Sequence, residues 1–170
     1  MNTERSQQGF TLIELMIIIA ILGILLAIAA LNAWPIVDKY RVNGAIRQVF
    51  GDLQMAKLSA MKNNKNWVLE VDGNSVYCLK NSKGPNGGWD NGCTVTGTMD
   101  DTVVKTVAIT SEYSGVNITS NPVRAEFQPD GTCKTAYTMT VCKGTLGKQI
   151  QVNLFTGNIK INNITVTTCP

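Results

Sequence analysis

The sequence predicts an α+β fold, in which a long N-terminal α-helix packs on an antiparallel β-sheet head. Three observations predict it. Phe10–Leu31 is a run of 22 residues in which Glu14 is the only charged side chain. Ile46, Val49, Phe50, Leu53, Ala56 and Ala60 then recur at spacings of three and four, which gives one apolar stripe on a helix. From Trp67 onward, short segments of alternating apolar and polar residues follow one another with turn residues between them. No helical pattern separates them, so their sheet is expected to be antiparallel.

The apolar run comes first. As a helix, 22 residues span about 33 Å, close to one hydrocarbon core. The run is too long for the apolar h-region of a secretory signal, and no small-x-small cleavage site follows it. Glu14 sets it apart from an ordinary anchor, because a carboxylate in a bilayer costs about 2.5–3.5 kcal/mol and residues of this kind usually have a partner and a role. Pro35 is expected to kink the helix or end its first half. The stripe continues to Asn63-Asn64-Lys65-Asn66, which ends the helix. Arg47, Asp52, Lys57 and Lys62 lie off the stripe. The organisation predicted is therefore residues 1–9 as a leader, 10–34 as a membrane helix, 35–62 as an amphipathic half-helix and 63–170 as a β-rich head.

In the head, Trp67–Val71 and Ser75–Leu79 flank Asp72-Gly73-Asn74, the pattern of a β-hairpin. Residues 80–101 are rich in Gly, Asn and Asp and read as a loop. Further strands are predicted at Val103–Ile109, Arg124–Gln128, Ala136–Cys142, Lys148–Leu154 and Asn158–Val166, the last two meeting across Thr156-Gly157.

Composition excludes several functions. The chain has 170 residues, room for one compact domain and an anchor. It contains no histidine, which removes Ser-His-Asp, Cys-His and His-based zinc chemistry. No nucleophile stands with a base and an orienting group, so no enzyme activity, metal or cofactor is expected. The five cysteines, Cys78, Cys93, Cys133, Cys142 and Cys169, all lie in the head. Disulfides persist in oxidising compartments, so the head reads as periplasmic or extracellular. Sequence order favours Cys78–Cys93 and Cys133–Cys142 with Cys169 left over, although order alone does not fix the connectivity.

Gly9-Phe10-Thr11-Leu12-Ile13-Glu14-Leu15 resembles the type IV prepilin processing motif, and the apolar run after it is similar to the same family. The resemblance implies the pilin fold and cleavage between Gly9 and Phe10 by a prepilin peptidase. It also implies N-methylation of Phe10 and an assembly role for Glu14. Arg5 and Glu4 share the leader, while Lys39, Arg41 and Arg47 follow the run, so the orientation rests on this resemblance and on the cysteines. Leu31 stands where many members have proline.

A second stretch, Ala125-Glu126-Phe127-Gln128-Pro129-Asp130-Gly131, taken with Gln149–Leu154 and Gly157-Asn158-Ile159, resembles the FimT/FimU and GspH branch. That branch implies a minor pilin that helps initiate or cap a type IV pilus, or a minor pseudopilin of type II secretion. The implied partners are other pilin subunits, the prepilin peptidase, the inner-membrane assembly machinery and the inner membrane itself. The implied location is the inner membrane with the head in the periplasm, then a filament. A DNA-uptake minor pilin is a third alternative, since some members of the branch bind DNA through a Gly-Arg-x-Arg stretch. Gly157-Asn158-Ile159-Lys160 lacks both arginines, which leaves Lys148 and Lys160 as candidate contacts and disfavours nucleic acid as a partner.

Overall fold

The computed structural model of the chain describes residues 10–81, 89, 92–93 and 102–169, with the side chains of all but 30–34. The expected leader, including Gly9, and most of the expected 80–101 loop lie outside the described residues. The chain forms two compact units, Met1–Val37 and Asp38–Pro170.

Helix α1 runs Leu12–Asn63 with Pro35 inside it, so the helix does not end at the proline. A proline removes one backbone donor, and the turns on either side supply the remaining bonds. Asn64 takes the left-handed conformation at φ 50°. The Lys65 amide then bonds the Ala60 carbonyl at 3.3 Å, closing the helix in a Schellman arrangement.

In the second unit, α1 buries Val42, Ala45, Ile46, Val49, Leu53, Ala56 and Ala60. Against them pack two four-stranded antiparallel sheets where the sequence suggested one. The first, in the order β3-β2-β1-β5, comprises β1 (Trp67–Asp72), β2 (Val76–Asn81), β3 (Thr102–Ala108) and β5 (Arg124–Phe127). The second, in the order β4-β6-β7-β8, comprises β4 (Asn117–Asn121), β6 (Tyr137–Lys143), β7 (Leu146–Val152) and β8 (Ile159–Thr165). Strand β4 and the one-turn helix α2 (Ile109–Glu112) have no counterpart among the predicted elements. The β4 segment, Asn117-Ile118-Thr119-Ser120-Asn121, carries a single apolar residue and leaves no alternation to read.

Strand alternation decides what each face meets. Trp67, Leu69, Val71, Tyr77, Leu79, Ala125 and Phe127 of the first sheet share the core with Ile118, Tyr137, Met139, Val141, Ile150, Val152 and Ile159 of the second. The opposite face of the first sheet is buried as well, and it is charged. Lys80 Nζ lies 3.0 Å from Glu70 Oε2, with side chains only 2% and 1% exposed. Arg124 sits 3.6 Å from the other Glu70 oxygen. The Gly92 amide donates to that oxygen at 2.9 Å, the Cys93 amide donates to Asp72 at 3.0 Å, and Arg124 donates to the Trp89 carbonyl at 3.2 Å. Buried charges persist only when paired and hydrogen-bonded in this way.

Candidate functional site

The N-terminal segment is built for contact with something outside the chain. Its apolar side chains are exposed all round: Phe10 79%, Leu12 78%, Leu15 58% and Leu26 69%. Leu12–Ala29 has a mean hydropathy of 3.0 and is long and apolar enough to cross a membrane, with none of it buried within the chain. A helix apolar on every side needs lipid or other helices around it. Thr11 stands at the N-cap, and its Oγ1 accepts a hydrogen bond from the Glu14 amide at 3.3 Å. Thr11-x-x-Glu14 is thus the first half of a capping box, with Glu14 in the first turn, where the helix dipole favours an anion. Sequence reasoning singled out Glu14 and passed over Thr11, although the spacing of the two residues carries the signal.

The cysteines do not pair as sequence order suggested. Cys78 joins Cys93, with Cα atoms 5.5 Å apart. Cys142 joins Cys169, with Cα atoms 5.8 Å apart, and Cys133 is free and buried. The expected Cys133–Cys142 pair fails because the two side chains lie on opposite faces. Cys133 belongs to the shared core, whereas on β6 the core-facing residues are Tyr137, Met139 and Val141, so Cys142 points outward. Burial pushes the Cys133 thiol above its ordinary pKa.

Lys148 and Lys160 are also on opposite faces. Lys148 pairs with Asn163 and Lys160 with Gln151 across β7 and β8. Residues 148 and 151 are three apart, so their side chains leave the sheet on different sides. They do not form one phosphate track. Lys160 shares its face with Thr138, Thr140, Gln149, Gln151 and Asn162, placed in rows by the register.

At the far side of the core, Asp52 of α1 is buried although it lies off the predicted stripe. It accepts from Tyr77 Oη at 2.6 Å and from Lys105 Nζ at 2.8 and 2.7 Å. The turn Gln128–Thr132 is fixed by Thr132, whose hydroxyl and amide donate to Asp130 Oδ1 at 2.7 and 2.8 Å. These bonds hold the Asp130 carboxyl below its ordinary pKa. Lys57 Nζ donates to the carbonyls of Thr156 and Gly157 at 3.0 and 3.1 Å, tying the β7–β8 turn to α1.

An apolar N-terminal helix with a capped, acid-bearing first turn, joined to an antiparallel two-sheet head, defines a pilin-like protein of the minor pilin and pseudopilin class. Residues 5–30 match the prokaryotic N-terminal methylation motif. Residues 45–157 match the family model described as type II transport protein GspH. That match takes in most of the chain, and the chain belongs to the GspH family. No curated protein matches it. Among solved structures it is similar to the type IV minor pilin FimU of Pseudomonas aeruginosa. In one crystal form the identity is 13% and the TM-score 0.57, with 80% of this chain and all of that one covered. In a second form the TM-score is 0.52 over 75% of this chain and 99% of that one, again at 13% identity. The minor pseudopilin EpsH from the type 2 secretion system of Vibrio cholerae is also similar, at 10% identity and a TM-score of 0.47 over 74% of this chain and 96% of that one. At such identities the likeness to FimU bears on the fold.

Proposed function

We propose that the chain is a minor pilin, a scarce subunit that helps initiate or cap a type IV pilus. The observation that carries this reading is Glu14, the only charged side chain of the apolar run, placed on the methylation motif ahead of a GspH-type head. In this reading a prepilin peptidase cuts between Gly9 and Phe10, and Phe10 becomes the N-methylated first residue. The subunit waits in the inner membrane with its head in the periplasm, and the assembly machinery then moves it into a filament of pilin subunits. There Glu14 pairs with the Phe10 ammonium of a neighbour. Each charge is costly alone in an apolar bundle, and the two offset each other only in one stagger, so the pair selects register as well as adding stability. Its role is structural, and no catalytic step is assigned to it.

The description of the matched family favours a second reading, a minor pseudopilin of type II secretion. Mass spectrometry of sheared surface filaments separates the two. Trace amounts of a chain starting at N-methylated Phe10 support the minor pilin. A dominant amount makes it a major pilin. A processed chain confined to the membrane supports the pseudopilin.

A further inference from the structure

Between the start of the head's share of α1 and the β6–β7 turn lies an open groove of about 360 Å³, lined among others by Lys39, Asn43, Leu146, Lys148, Asn163 and Thr165. No carboxylate lines it. Asp38, the acid adjoining Lys39, is already taken by Arg41 at 3.5 Å and by Lys143 at 2.8 Å. Among the described residues neither Lys39 nor Lys148 pairs with a carboxylate. Two free ammonium groups and the amides of Asn43 and Asn163 around one depression suit a phosphate oxygen ligand. The rim is not purely polar, since Leu146, 39% exposed, is among the residues that line it. Lysines beside an exposed leucine match the boundary of a bilayer, where apolar stems enter the acyl edge and charged tips stay at the headgroups.

Chain connectivity selects the source of the phosphate. Lys39 follows Ala29, the last residue of the membrane-length segment, by ten residues. Even fully extended, ten residues reach no more than about 35 Å. Connectivity therefore keeps Lys39 within that distance of the end of the membrane-length segment, whatever the disposition of the two units, and anionic headgroups of a bilayer attract lysines within reach. We infer that the groove binds the headgroup of an anionic phospholipid of the membrane that the chain spans. The inference rests on the membrane-anchored reading above.

The test uses the full chain. In non-ionic micelles, the amide resonances of Lys39, Asn43, Leu146 and Lys148 are followed while short-chain phosphatidylglycerol, short-chain phosphatidylcholine, inorganic phosphate or a DNA duplex is added. The expected result is a saturable, salt-sensitive shift confined to the groove with phosphatidylglycerol alone. It should weaken at least tenfold in the double variant Lys39→Gln/Lys148→Gln, while the Asp52 and Tyr77 resonances stay unchanged. No shift, or an equal response to phosphatidylcholine, overturns the inference. So does an equal response to inorganic phosphate, which would make the groove a free-phosphate site, and so does tighter binding of DNA. Flotation with phosphatidylcholine vesicles tests the anchor separately. A wild-type chain that does not float removes the anchored reading and the inference together. A chain that floats but shows no phosphatidylglycerol shift removes the inference alone.

Discussion

The Tyr77 hydroxyl donates a 2.6 Å hydrogen bond to the Asp52 carboxylate across the interface between α1 and the first sheet. Tyr77 is fully buried and Asp52 nearly so, and Lys105 completes the carboxylate's partners. Tyr77→Phe leaves the ring packed and removes one charge-assisted bond, a loss of about 1.5–3 kcal/mol. Asp52→Ala is expected to cost more, because it strands the Tyr77 hydroxyl in the core. Urea unfolding of the full chain in micelles, followed by tryptophan emission, gives both values. Equal stability of wild type and Tyr77→Phe would show that the bond adds nothing.

The same burial predicts a pH dependence. Desolvation, aided by the Asp52 carboxylate, raises the pKa of Tyr77 far above the ordinary value, and desolvation raises that of Tyr137. A group whose folded pKa is raised contributes stability in full below the unfolded value, about 10 for tyrosine. That stability is lost as pH climbs from there toward the folded value. The head should therefore lose stability in the alkaline range above that point. Ultraviolet titration should show these two phenols ionising only as the chain unfolds.

Non-reducing peptide mapping should recover Cys78 linked to Cys93 and Cys142 linked to Cys169, with Cys133 alkylated only after denaturation. The closed loops have sequence separations of 15 and 27. Removing either bond by paired Cys→Ser substitution is expected to cost about 2–4 kcal/mol, the larger loss going with the longer loop in the chain-entropy account. A Cys133–Cys142 peptide would contradict the opposite-face placement.

Two glycines should respond differently to alanine. Gly73 has φ +67° and open space around its missing Cβ, so Gly73→Ala carries only the backbone strain, about 1–2 kcal/mol. Gly157 has φ +55°, and a Cβ there would run into the Gly131 carbonyl oxygen. That oxygen belongs to the turn fixed by Asp130 and Thr132 and cannot withdraw freely. Gly157→Ala should therefore destabilise clearly more than Gly73→Ala in the same unfolding assay.

Glu14→Gln separates the two roles open to Glu14. Glutamine keeps the capping-box pattern with Thr11 and loses the charge. If the charge sets the filament register, Glu14→Gln should fall out of sheared filaments as completely as Glu14→Ala. Normal incorporation of Glu14→Gln would reduce Glu14 to a helix cap. Thr11→Ala, at a helix-stability cost of about 1 kcal/mol, should incorporate far better than either.

Much of this protein is legible because its signals are local. The apolar run, the stripe from Ile46 to Ala60 and the alternating strands follow from periodicity, and the Asn64 stop follows from a residue that tolerates positive φ. The candidate assembly residues Phe10 and Glu14 are legible too, since a lone charge in an apolar segment stands out in one dimension. Asp52 was not legible: off the stripe it reads as a solvated residue, and only Tyr77 and Lys105, 25 and 53 residues away, turn it into a buried anchor. Strand β4 was hidden for a related reason, since its polar residues gain a place in a sheet only by pairing with β6.

The sequence alone determined the membrane-length helix, the α+β class and the motif on which the family membership was first read. Tertiary structure decided that the strands form two sheets, that Cys142 turns outward to Cys169 while Cys133 stays in the core, and that Lys148 and Lys160 leave the sheet on opposite sides. The physical reason is the two-residue period of a strand. Which face is buried depends on what packs against the sheet, and that is set by contacts between residues far apart in the chain.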